Sequence, residues 1–241
     1  METEQEYTPK SAMSIQAHPD DQEFTIAGTL AKWARTGCEI TSVILTSGDS
    51  GSNAEDKDAS YKPELARIRE AEQLAANAVL GIKNTVFLHY PDGELQSTIE
   101  VRKNITREIR RYKPEVLLCG DPTVRFFGDN YMNHPDHRAA ADAACDAVFP
   151  SAGTRLIFAD LLAEGLNPHN VKRVYIWGSE KQDVWVDTTD TIELKITALR
   201  KHASQMGDWD PSEEMRRWGA EAGKDHSLAY AESFRVMKLG E

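Results

Sequence analysis

Cysteine is scarce in this chain. Cys38, Cys119 and Cys145 are its three, far apart and without the close spacing of a thiolate metal site. So sparse and odd a set excludes a disulfide framework and points to a reducing compartment. Long apolar runs are also missing: no stretch approaches the ~18 residues of a membrane span. Basic clusters are few. Lys and Arg total 28 against 39 Asp and Glu, a formal charge of −11, which argues against a nucleic-acid backbone or an anionic membrane as partner. The densest basic run, REIRRYK at 107–113, reads as the solvated face of a helix. The N-terminal METEQEYTPKSAMS is acidic and lacks the apolar centre of a signal peptide. A soluble, cytoplasmic, globular protein is expected.

Several enzyme signatures are absent too. No G-x-G-x-x-G follows the first apolar run, no G-x-x-x-x-G-K-[ST] occurs, and no G-x-S-x-G elbow marks a serine hydrolase.

What is present alternates. Short apolar runs at 12–17, 39–47, 84–90 and 114–120 predict strands. Helical spacing predicts helices over 23–37, 62–81, 97–113 and 134–149, with Gly37 and Gly81 as stops and Pro63 in a first turn. Two more strands are expected at 171–179 and 183–189, then a mostly helical tail from Thr191. Such alternation indicates an α/β fold, a Rossmann-like three-layer sandwich around a mostly parallel sheet. With no linker in view, 1–241 reads as a single domain. Sites in open α/β sheets lie at the carboxyl ends of the strands. His18 follows the first strand, and the long loop before His134 and His137 follows the fourth, so both should reach one edge.

The triplet His-Pro-Asp occurs at both places, as HPDD (18–21) and HPDH (134–137). Histidine and aspartate are good zinc ligands, and a catalytic zinc typically keeps three protein ligands and one open position. The candidates are His18, Asp20, Asp21 and the pair His134 and His137. Each proline stiffens its turn and biases the preceding histidine toward extended backbone. A helix N-terminus alone accounts for acids here, but not for histidine in both copies. The adjacent charges of Asp20 and Asp21 make sense if a cation sits against them.

Further segments join these: TSGDSG after the second strand, RIREAEQLAANAVLGI in the second helix, FLHYPDGEL after the third strand, LRKHASQ and YAESFRV near the end. Together they resemble the LmbE/PIG-L family of zinc-dependent N-deacetylases over most of the chain. HPDHRAAADAACDAV followed by GLNPHNVKRVYIW is similar to the branch containing diacetylchitobiose deacetylases.

The resemblance implies zinc on His18, Asp21 and His137, Asp20 as general base, a protonated His134 stabilising the oxyanion, and Asp136 orienting a histidine from behind. It also implies substrate contacts from Arg67, in the RxxE of the second helix, and from Asp92, in YPDGEL. Gln22 stands where the family most often has Glu, a position that is neither ligand nor base. Fe²⁺ also suits a two-His, one-carboxylate site. The implied reaction removes an N-acetyl group from an N-acetylglucosamine-type amino sugar or glycoside. The alternatives are an amidase of the same fold acting on another N-acyl group or a thiol-sugar conjugate, and a non-catalytic sugar-binding relative. A homo-oligomer, trimer or hexamer, is expected, and the apolar Phe126 and Phe127 suit an interface or a sugar ring. Asp49, Ser50, Tyr131 and Tyr230 are further candidates for the same edge, and His202 for a structural hydrogen bond.

Overall fold

In the first strand, β1 (Ser11–Gln16), Met13 and Ile15 enter one apolar core and Ala12 enters another. β4 (Val116–Gly120) does the same, with Leu117 and Cys119 opposite Val116 and Leu118. A strand apolar on both faces needs cover on both. Val101, Ile105 and Ile109 of α4 (Ile99–Tyr112) and Ala140 and Ala144 of α5 (Pro135–Asp146) cover one side. Leu30 and Trp33 of α2 (Ala27–Arg35) and Ala76 and Leu80 of α3 (Lys62–Leu80) cover the other. The expected three-layer α/β arrangement results. The computed structural model describes residues 7–52 and 54–240, so the N-terminal stretch inspected for a signal peptide lies partly outside them.

Among the described residues, seven strands form the main sheet in the order β3-β2-β1-β4-β7-β9-β8. β2 (Glu39–Thr46), β3 (Asn84–Tyr90) and β7 (Arg173–Trp177) run parallel to β1 and β4. β1 is flanked by β2 and β4, so the order reverses between β1 and β4. That switch point opens a crevice at their carboxyl ends, where the two HPD segments emerge.

Three expectations are amended. The mostly helical tail also holds a strand the sequence did not announce: α6 (Ile192–Leu199), α7 (Ala203–Met206) and α8 (Ser212–Gly223) are followed by β9 (Ala231–Lys238). It lies antiparallel between β7 and β8 (Val184–Asp187). Its Glu232 explains its place, because the carboxylate accepts the backbone N–H groups of Gly28 and Thr29 at 2.9 and 2.7 Å and pairs with Lys195 at 2.6 Å. A carboxylate at a helix N-terminus is favoured by unpaired N–H groups and the helix dipole, so the tail strand staples α2 to the sheet. The helix expected over 23–37 breaks at Ile26 into α1 (Asp21–Thr25) and α2. The loop after β4 folds into a small hairpin, β5 (Phe126–Phe127) with β6 (Tyr131–Met132). Among the described residues, no helix is long and apolar enough to cross a membrane.

Candidate metal centre

The turn leaving β1 is closed by a side chain. Asp21 Oδ2 accepts the backbone N–H groups of Ala17 and His18 at 3.1 and 2.9 Å. Asp20, inside that turn, has φ +90°, the left-handed region that aspartate tolerates better than most residues; such a conformation costs on the order of 1–3 kcal/mol. Across the crevice His134 caps α5, its Nδ1 accepting the Asp136 N–H at 3.1 Å, and Pro135 opens the helix. His137 follows one turn in.

The two segments meet. His137 Nε2 lies 3.0 Å from Asp21 Oδ1, and His18 Nδ1 lies 3.6 Å from Asp21 Oδ2. The other ring nitrogens are engaged elsewhere. His18 Nε2 donates to Asp92 Oδ1 at 3.0 Å, with Asp136 Oδ2 at 3.4 Å. His137 Nδ1 donates to Asn133 Oδ1 at 3.2 Å, and Asn133 is fixed by donating to the Val124 carbonyl at 2.8 Å. Both imidazoles therefore turn their other ring nitrogen toward the Asp21 carboxylate. Fixing the far nitrogen is how proteins set the tautomer of a metal-binding histidine. His134 is near too: ligand atoms of His18, His134 and His137 lie within 4.8 Å of one another, as do those of His18, Asp92 and Asp136.

The electrostatics favour a cation here. Burial opposes protonation of His18, but Asp21, Asp136 and Asp92 outweigh it and raise its pKa to about 12. Burial likewise opposes ionisation of Asp21, yet His137 and His18 hold its carboxyl well below the usual range. Burial also opposes protonation of His137, and Asp21 turns the balance upward. A cluster that retains protons so strongly is one a divalent cation can enter by displacing them. Nitrogen and carboxylate donors suit zinc or iron, so the residues present fit a metal.

Asp136 is fully buried and accepts the N–H groups of Gly93 and Leu95 at 2.8 and 3.3 Å. Its side chain stands behind His18, with His134 Nδ1 farther off at 3.9 Å. Burial and the nearby His18 lower the pKa of His134. Its Nδ1 is already an acceptor, so it is a neutral imidazole whose free donor is Nε2–H, not the protonated group expected. Asp92, expected on the substrate, is buried against His18, and its Oδ2 accepts the Ser50 N–H at 2.7 Å.

The arginine at the site is Arg69, not Arg67. Arg67 is exposed, whereas Arg69 is buried and donates to the carbonyls of Gly48 and Pro19 at 2.8 Å each and to Asp20 Oδ2 at 3.1 Å. Residues two apart on a helix point about 200° apart, so only one of the pair can face inward. Arg69 shares the buried stripe of α3 with Leu65, Gln73, Ala76, Asn77 and Leu80. Polar residues at core spacing were the signal for it. The glycine of TSGDSG makes room: Gly48 has φ +64°, and a β-carbon there would collide with the Arg69 guanidinium.

Gln73, on the same stripe, accepts the Asp20 N–H at 3.0 Å and so helps hold the left-handed turn. Burial raises the Asp20 pKa, Arg69 opposes this and Asp21 adds to it, leaving a value of about 6. Beyond lies a buried polar network. Gln22 donates to Glu23 Oε1 at 2.8 Å and Asn77 Oδ1 at 2.6 Å and accepts from Ser42 Oγ at 2.9 Å. Gln73 Nε2 donates to Glu23 Oε1 at 3.0 Å, and His202 pairs with Glu23 Oε2 at 3.3 Å.

The centre opens into a groove of about 990 Å³ that includes Asp21 and His137 and is walled by Phe24, Phe127, Tyr131 and Trp177. Tyr230 lies outside that wall, packed against the small core around Ile192 and Met215.

The profile of the family described as PIG-L: GlcNAc-PI de-N-acetylase matches residues 13–148. A diacetylchitobiose deacetylase of Thermococcus kodakarensis is 33% identical over 233 residues, 95% of this chain and 83% of that one. A 1D-myo-inositol 2-acetamido-2-deoxy-alpha-D-glucopyranoside deacetylase of a Mycobacterium species (strain JLS) is 26% identical over 80% of this chain and 73% of its own. Among solved structures, N,N'-diacetylchitobiose deacetylase from Pyrococcus horikoshii superposes with a TM-score of 0.87 at 32% identity, covering 95% of this chain and 84% of that one.

Proposed function

The chain belongs to the PIG-L family, and from that premise we propose that it is a metal-dependent hydrolase removing the acetyl group from an N-acetylglucosamine-type sugar. The observation that carries this reading is the convergence of His18 Nδ1 and His137 Nε2 on Asp21, with both far nitrogens engaged. Relatives named for deacetylation of diacetylchitobiose and of an N-acetylglucosaminyl inositol support the substrate class.

His18, Asp21 and His137 would hold the ion, which we assign as zinc. Such an ion, when bound there, would supply Lewis-acid chemistry, of the kind that lowers the pKa of water from 15.7 to about 7. Asp20 takes a proton from the attacking water. Its pKa of about 6 leaves it mostly ionised at neutral pH yet basic enough for that transfer. His134 Nε2–H donates to the carbonyl oxygen as negative charge develops there. Asp92 and Asp136 hold the His18 ring and keep its proton on Nε2. The proton on Asp20 passes to the departing nitrogen as the C–N bond breaks, so one water and one amide give acetate and an amine.

The test is metal analysis together with acetate release from N-acetylglucosamine and N,N'-diacetylchitobiose. The parent should release acetate, and Asp20→Asn should retain metal while losing about 10²–10⁴-fold in rate. An Asp20→Asn variant that turns over like the parent removes Asp20 as base; a metal-loaded parent inert on every acetamido sugar removes the reaction.

A further inference from the structure

The groove runs on past everything the reaction needs. Trp218 of α8, 47% exposed, lines it and also lines a second hollow of about 430 Å³. Gln182, Ala222 and Ser233 are shared as well, so the two spaces adjoin. Trp185 and His226, which line the second hollow together with Trp218, stack on each other with ring centroids 3.7 Å apart and planes 19° from parallel. Glu221 and Asp225 stand beside them.

Flat rings next to carboxylate and amide acceptors match a pyranose. The C–H face of the sugar lies on a ring, and its hydroxyls donate to acids at the edge. An acyl chain or an aryl group would use the rings but leave Glu221, Asp225 and Gln182, exposed at the rim, without donors, whereas sugar hydroxyls reach both. Size agrees. Small-molecule sites span ~300–1,000 Å³, and the first groove alone reaches the top of that range before the second is added.

The geometry points to a distal sugar-binding subsite at Trp218, Trp185 and His226, which takes further units of an oligosaccharide whose reacting sugar sits at the His18–His137 centre. This rests on the proposed reading of that centre. The preferred substrate is then a chain of amino sugars longer than a disaccharide.

Calorimetric titration with N-acetylglucosamine, N,N'-diacetylchitobiose and tetra-N-acetylchitotetraose tests it on the parent, Trp218→Ala and Trp218→Phe. The tetramer should bind the parent about tenfold tighter than the monosaccharide, as one to two aromatic contacts provide. Trp218→Ala should lose most of that margin, and Trp218→Phe, which keeps a ring, should retain most of it. A parent that binds all three sugars equally, or a Trp218→Ala variant with the full margin, overturns the subsite. Acetate release on the same sugars separates the two readings. Length-dependent binding without acetate keeps the subsite and removes the reaction; deacetylation without length-dependent binding does the reverse.

Discussion

The Arg69 guanidinium lies 3.1 Å from the Asp20 carboxylate, and both side chains are largely buried at the carboxyl end of β1. Arg69 is the cation that opposes burial in setting the Asp20 pKa. In its proposed role as general base Asp20 must be ionised, so activity should fall as pH drops through that pKa. Arg69→Met removes the opposing charge, raises the pKa, and moves the acid limb of kcat/KM above about 6. Its deficit is therefore larger in mild acid than in mild alkali. Arg69→Lys keeps a charge but not the three-way donor fork, and falls between. A pH–rate profile checks this; a limb that stays put in Arg69→Met disconnects the pair from catalysis.

Asp92 fixes the His18 tautomer from behind at 3.0 Å. Asp92→Asn keeps an acceptor oxygen but loses the charge that strengthens the bond. Metal affinity should fall about 10–100-fold, with circular dichroism unchanged. Competition against a chelating dye reads the affinity directly. Wild-type affinity in this variant means Asp136 alone positions the ring.

Without metal, the carboxylates around His18 keep it protonated far above neutrality. The sign follows: loading the ion must expel a proton, so affinity weakens as pH falls. Zinc titrations in buffers of differing ionisation enthalpy count the protons released. Equal heats in every buffer contradict the proposed ligand role of His18.

Gln22 donates to Glu23 from a fully buried position. Gln22→Glu replaces that donor with a second carboxylate and removes the donor to Asn77. The cost at neutral pH should be on the order of 3 kcal/mol. Burial beside Glu23 raises the new carboxyl's pKa, so the stability deficit shrinks as pH falls and the group is protonated. Urea denaturation at two pH values measures both effects. An unchanged midpoint at neutral pH shows that the network accepts a second charge.

Much of the centre is local and therefore legible in one dimension. A strand end, a proline-stiffened turn and a helix start fix where His18, Asp21, His134 and His137 leave the backbone, and strand–helix alternation brings the two segments to one edge. Arg69 was hidden because two arginines share one helix, and only the phase of the buried stripe separates them. Gln73 was hidden because it acts on the Asp20 backbone from 53 residues away. The tail strand was missed because its place depends on filling the gap between β7 and β8, a property of the assembled sheet.

The amino-acid sequence by itself determined the element order, the paired HPD turns, the acidic charge and the family likeness, since each is a matter of spacing or composition. Only the tertiary structure decided which nitrogen of each histidine faces Asp21, that Asp92 serves His18, and that the groove runs on to Trp218. Those follow from atoms distant in the chain packing within hydrogen-bond or stacking range, and linear spacing does not encode such distances.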